Sequence, residues 1–266
     1  MADSKVTITT LQKMREAGER STMLACYDAS FAALVDQCGV DMILVGDSLG
    51  MVVQGHDSTL PVTMDDMVYH TRCVARGAKR LMVVGDLPFA SYQASPPQAY
   101  ENAARLMSAG AAMVKLEGGA VMGPTVEFIV TRGIPVMGHI GLTPQSVHHL
   151  GGYRVQGKTE DSARRLVEDA RLLAQAGASA LVLECVPAGV GKQITDGTAI
   201  VTLGIGGGPH CSGQILNLYD MLDAYPGKKA RFVKNFMAGA ASIQEAVSNF
   251  VKEVKAGTFP GPEHCF

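Results

Sequence analysis

Met42-Ile-Leu-Val-Gly-Asp47-Ser48 is a short apolar run that stops at a carboxylate. Runs of about four to eight aliphatic residues bounded by turn residues read as buried strands of a parallel sheet. An acid closing such a strand needs a partner, because burying an unpaired charge is expensive. The pattern recurs along the chain. Leu81-Met-Val-Val-Gly-Asp86, Met113-Val-Lys-Leu-Glu117 and Ala180-Leu-Val-Leu-Glu184 each end in an acid as well.

Outward from these four runs, strand and helix patterns alternate. Thr22 to Asp28 reads as the first strand, Ile134 to Ile140 as the fifth, Ile200 to Ile205 as the seventh and Arg231 to Phe236 as the eighth. Between them lie helical spacings with start and stop signals. Thr63-Met-Asp-Asp66 is a capping box, Ser95-Pro-Pro97 opens a helix that stops at Gly110, and Ser242 caps the last helix. Thr10 is the expected cap of an N-terminal helix. Two long loops, Leu49 to Leu60 and Leu142 to Lys158, follow strands two and five, where long loops are usually functional.

Eight strands alternating with helices predict an α/β fold, a (β/α)8 TIM barrel. The 266 residues are near the ~250 typical of that barrel, with no composition shift marking a linker. The expectation is one catalytic domain over 1–266, with an N-terminal helix. An open doubly wound sheet is the fallback, but its Gly-rich fingerprint is missing after strand one.

Composition narrows the function classes. Hydrophobic residues make up 47% and charged ones 18%, enough for a large core. A net charge of -2, with Lys and Arg scattered, favours neither nucleic acid nor an anionic membrane. No apolar run approaches the roughly 20 residues of a membrane helix. Six dispersed cysteines without a CxxC pair read as reduced thiols. Ala2-Asp3-Ser4-Lys5 has no signal-peptide core, so the expected location is cytoplasmic.

Residues i and i+2 of a strand share a face. Ile43, Val45 and Asp47 are therefore expected to point one way, as are Met82, Val84 and Asp86. Lys115 shares a face with Glu117, looking into the barrel mouth, where barrel active sites sit. Asp47, Asp86 and Glu117, on neighbouring strands, would repel unless a cation joined them. Hard carboxylate oxygens without nearby His or Cys favour Mg2+. The alternative is that each acid caps a helix or pairs with a lysine. Glu184, across the mouth, suits a general base. His139 is a candidate accessory acid or hydrogen-bond donor, or else a satisfied core histidine. His148-His149 and His210-Cys211 lack a second pair at zinc spacing. Gly204 to Gly208 is either a phosphate cradle or a tight turn.

Six ordered blocks carry a resemblance. They are Ala25-Cys-Tyr-Asp-Ala-Ser-Phe-Ala32, Val45-Gly-Asp-Ser-Leu-Gly-Met51, Gly85-Asp-Leu-Pro88, Val114-Lys-Leu-Glu-Gly-Gly119, Gly138-His-Ile-Gly-Leu-Thr-Pro-Gln145 and Tyr153-Arg-Val-Gln-Gly157. Together the chain resembles the ketopantoate hydroxymethyltransferase family, from about residue 8 to residue 259. The resemblance implies a barrel of the phosphoenolpyruvate/pyruvate superfamily, usually assembled as a decamer. It implies hydroxymethyl transfer from 5,10-methylenetetrahydrofolate to 3-methyl-2-oxobutanoate through a Mg2+-stabilised enolate, giving 2-dehydropantoate for pantothenate synthesis. It carries metal ligation to Asp47, Asp86 and Glu117, 2-oxoacid binding to Asp47, Ser48, Asp86 and Lys115, and proton abstraction to Glu184. One departure is Gly204-Ile-Gly-Gly-Gly208 with Ser212-Gly-Gln214, where members often have Gly-Ile-Gly-Ala-Gly and Asp-Gly-Gln. The rival readings are a phosphoenolpyruvate mutase, a carbon–carbon lyase, and an inactive barrel kept for assembly. The lyases' Lys-Lys-Cys-Gly-His loop is absent.

Overall fold

The computed structural model describes residues 5–266. The start at Ala2-Asp3-Ser4, read above for a leader, lies outside the described residues. Eight parallel strands close into a barrel in sequence order. They are β1 (Ser21–Ala25), β2 (Met42–Val45), β3 (Met82–Asp86), β4 (Met113–Lys115), β5 (Val136–Gly141), β6 (Ala180–Glu184), β7 (Val201–Ile205) and β8 (Gly213–Asn217). The N-terminal helix α1 (Ile8–Glu16) precedes β1. Then α2 (Ala29–Gln37), the short α3 (Leu49–Val52), α4 (Met64–Gly77), α5 (Pro96–Ser108), α6 (Gly123–Val130), α7 (Glu160–Gln175) and α8 (Ala188–Gly197) lie between strands. After β8 come α9 (Leu218–Met221) and α10 (Ile243–Ala256).

The helix signals hold, with one shift. Thr63 Oγ1 accepts from the Asp66 N–H at 3.2 Å and Asp66 Oδ2 accepts from the Thr63 N–H at 2.9 Å, closing the box at the start of α4. Ser95 and Ser242 cap α5 and α10. The cap of α1 is Thr7, with Thr10 as its partner in the box. Helix α8, with no strong start signal, was not expected from the sequence.

Two strand expectations are corrected. The eighth strand is Gly213–Asn217, not Arg231–Phe236. Only the former can close the barrel, pairing with β1 from Ser21↔Gly213 to Ala25↔Asn217. Gly213 is required there, because a Cβ would sit 2.3 Å from Ser21 O. Residues 231–236 are irregular, and their alternation has another cause. Phe236 packs edge-on against Phe250 and Phe259, with ring centroids 5.6 and 5.4 Å away.

The second correction concerns which face of β2 looks inward. Leu44 is level with Val84 and Ala25, and it lines the barrel-mouth cavity. Ile43 and Val45 therefore face the helices, as parallel alternation requires. Asp47 still reaches the cavity because the ladder ends at Val45 and the chain turns at Asp47-Ser48. The registers also stack methionines inside the barrel: Met23 beside Met42, Met42 beside Met82, and Val84 beside Met113. All four methionines are buried. Branched residues usually fill such layers, and flexible thioethers fill irregular gaps instead. The Gly204–Gly208 run is explained by close packing: a Cβ on Gly207 would lie 2.8 Å from Leu183 O.

Candidate active site

The carboxyl ends of the strands open into one cavity of about 790 Å³. Asp47, Ser48, Asp86, Lys115, Glu117 and Glu184 all line it, as does His139. Each arrives by a simple rule. Asp86 is the last residue of β3 and its register partner is Lys115, so both point inward at one level. Glu117 lies two residues beyond Lys115, and Glu184 ends β6 level with Gly141.

Lys115 Nζ donates to both oxygens of Asp86 at 2.8 Å and lies 3.6 Å from Glu117 Oε1. Asp47 joins this pair through its own N–H, which donates to Asp86 Oδ2 at 3.3 Å. His139 lies between two acids, with Nδ1 3.5 Å from Glu117 Oε1 and Nε2 3.2 Å from Glu184 Oε2. Neither contact has hydrogen-bond geometry, so the attraction is one of charge.

Three buried carboxylates surround one buried ammonium, and the imbalance moves their protons. Burial, then the Asp86 and Glu117 charges, push the Asp47 carboxyl well above the usual range. Burial also raises Asp86, against the pull of Lys115. Burial opposes ionisation of Glu117 too, but Lys115, His139 and the Gln145 N–H outweigh it and hold Glu117 low. For His139, burial and the Lys115 charge act downward, yet the two flanking glutamates win and lift it to about 9. Asp47 and Asp86 therefore resist ionisation beside Glu117, a repulsion that a bound cation would relieve.

The donors suit a hard divalent cation. All are carboxylate oxygens, and buried Glu117 Oε1 has no hydrogen-bond partner. Among the described residues, however, no three His, Cys, Asp or Glu side chains stand at mutual metal-ligand spacing. Asp86 instead directs both oxygens to Lys115, the lysine-pairing alternative weighed from the sequence.

Four residues around this cluster went unrecognised as site residues in the sequence. Gln145 Nε2 donates to Asp47 Oδ2 at 2.8 Å, and its backbone N–H donates to Glu117 Oε2 at 3.0 Å. Tyr92 Oη donates to Gln145 Oε1 at 2.6 Å and accepts from the Glu117 N–H at 3.1 Å. On the other side, Asn217 Nδ2 donates to Tyr27 Oη at 2.7 Å, and Tyr27 Oη is 2.8 Å from Ser48 Oγ. The Asn217 amide is oriented by the Tyr219 N–H, which donates to its Oδ1. Either hydroxyl of the Tyr27–Ser48 pair can donate; when Tyr27 does, the Ser48 proton is available to a ligand. Gln145 and Tyr27 were quoted within ordered motifs, but neither's partners can be read from spacing.

Comparisons with known proteins show the family of the chain. The ketopantoate hydroxymethyltransferase family model matches residues 5–262. The 3-methyl-2-oxobutanoate hydroxymethyltransferase of Azoarcus sp. (strain BH72) is 62% identical over 265 residues, covering 99% of this chain and 98% of that protein. The enzyme of the same name from Nitrosospira multiformis is 59% identical over 262 residues, covering 98% and 100%. Among solved structures, a phosphonopyruvate hydrolase superposes with a TM-score of 0.62 at 12% identity, over 83% of this chain and 84% of that one. A 2,3-dimethylmalate lyase, described as a member of the PEP mutase/isocitrate lyase superfamily, gives 0.53 at 18% identity, over 74% and 70%. Those two likenesses are of fold alone. The sequence relatives decide the activity over the mutase and lyase alternatives: the chain belongs to the ketopantoate hydroxymethyltransferase family, transferases that act on 3-methyl-2-oxobutanoate.

Proposed function

We propose that the hydroxymethyl donor is 5,10-methylenetetrahydrofolate, that Mg2+ is held by Asp47, Asp86 and Glu117, and that Glu184 is the proton acceptor. The product is 2-dehydropantoate, a precursor of pantothenate. The observation that carries this reading is the surplus of buried carboxylate around a single lysine, with a fourth acid across the mouth. A cation held by those oxygens would supply Lewis-acid charge, which makes the C3 proton of a 2-oxoacid more acidic.

The chain's own residues do the rest. Lys115 sets a positive charge near the substrate carboxylate and the oxygen that gains charge. Ser48 donates its hydroxyl proton to the carboxylate while Tyr27 donates to Ser48 Oγ. Glu184 takes the C3 proton, with His139 Nε2 3.2 Å from its carboxylate. C3 bonds to the donor's methylene carbon, both C–N bonds of that carbon break, one water supplies the hydroxyl group, and the C3 proton and the remaining water proton go to N5 and N10 as tetrahydrofolate leaves. The whole chain acts as one catalytic unit. Family resemblance supports a cytoplasmic homodecamer, which sedimentation would test.

The deciding experiment is exchange of the substrate C3 proton in deuterated water, followed by NMR. Glu184→Gln should bind Mg2+ and the 2-oxoacid normally while exchange slows by about 100-fold or more. Exchange at the wild-type rate would remove Glu184 from the role.

A further inference from the structure

The cavity changes sign from floor to rim. Its floor holds the buried acids Asp47, Asp86 and Glu117, countered by Lys115. Besides Lys115 and His139, the basic residues of its lining are Lys228, Lys229 and Arg231, all three on the segment between β8 and α10. Lys229 is balanced by Asp223, 2.7 Å away, and also acts on Asp220, an acid of the same lining. Lys228 and Arg231 are exposed and make no ion pair among the described residues. Arg231 is nonetheless positioned: Nε donates to Glu263 O at 3.0 Å, and the guanidinium lies 5.7 Å from the Phe266 ring centre.

Aromatic and apolar side chains share the lining with these charges. Tyr153, Val155, Tyr225, Phe232 and Phe266 line the same cavity, and Tyr153 is 53% exposed. A half-exposed tyrosine at a cavity mouth offers a flat apolar face with a polar tip. A ligand matching this surface has a reacting end for the floor, a planar middle and an anionic end for the rim.

Resting on the folate donor argued above, we propose that Lys228 and Arg231 form the subsite for the glutamyl carboxylates of that donor, with Tyr153 and Tyr225 flanking its aromatic part. Each added glutamate brings a further carboxylate within the field of these unpaired cations. The rim therefore selects donors by tail length, while the floor carries out the reaction.

The test compares three methylene donors: 5,10-methylenetetrahydropteroate, which lacks glutamate, and the mono- and triglutamyl tetrahydrofolate forms. Wild-type KM should fall as the tail lengthens, most clearly at low ionic strength. Lys228→Glu should raise KM for the triglutamyl donor about tenfold relative to the tail-less one. Arg231→Gln should act in the same direction. Arg164→Glu, the same kind of charge change on the exposed face of α7, should leave the ratio alone. A wild-type KM indifferent to tail length, or variants that shift all three donors equally, would overturn the subsite and leave the folate reading standing. A wild type that exchanges the C3 proton yet accepts a methylene group from none of the three would overturn the folate reading itself, and the subsite with it.

Discussion

Gln145 shows how one neutral side chain can organise a charged site. It reaches two acids at once, Asp47 through its side-chain amide and Glu117 through its backbone N–H, and Tyr92 locks its carbonyl. Hydrogen-bonded partners of metal-binding carboxylates hold those ligands in orientation. Gln145→Leu keeps the backbone bond but removes the amide. Mg2+ affinity should then fall by about 10–100-fold, read by titration calorimetry. Unchanged affinity would reduce Gln145 to a packing residue. Asp47, Asp86, Lys115, Glu117 and Glu184 were legible from sequence because an acid or an amine in an apolar strand is conspicuous. Gln145, Tyr92, Tyr27 and Asn217 were not, because their partners come from distant strands and loops.

Local signals govern where the helices begin. The α4 box joins Thr63 to Asp66, and hydrogen bonds from the Thr63 side chain and backbone hold the Asp66 carboxyl below its usual value. A lowered carboxyl pKa stabilises the folded state above the unfolded value of about 3.9, and that contribution disappears as pH falls through the lowered one. Asp66→Ala should therefore cost on the order of 1 kcal/mol in urea unfolding at pH 7, and the difference from wild type should shrink below about pH 4. Strand β8 poses the opposite problem. Its run Gly213-Gln-Ile-Leu-Asn217 is short and diluted by polar residues, whereas the alternation at 231–236 is the stronger pattern. Closure against β1 overrides that pattern. Gly213→Ala forces a methyl against Ser21 O and should destabilise the barrel by on the order of 3 kcal/mol, measured by thermal or chemical unfolding.

At the scale of the whole molecule, the barrel spends its mouth on charge and its interior on methionine. Four acids outnumber Lys115 and His139 at one end and repel on balance, so a bound cation should tighten the entire closed sheet. Mg2+ at 100 times its Kd should add about 2.7 kcal/mol to unfolding stability, seen as a rise in the thermal midpoint. Asp86→Asn should lose most of that rise when the variant is compared with itself, with and without Mg2+. An equal rise in both proteins would place the cation elsewhere.

The alternation of apolar runs with capped helices, and the acid at the end of each run, is written in one dimension. Local periodicity and capping depend on neighbours within a few residues, so the barrel class, most strands and the charged site residues follow from sequence alone. What required the folded chain was everything set by closure. Which segment completes the ring depends on contacts across the whole chain, as does the inward turn of Leu44 rather than Ile43. So does the joining of Gln145 to Asp47, residues 98 positions apart.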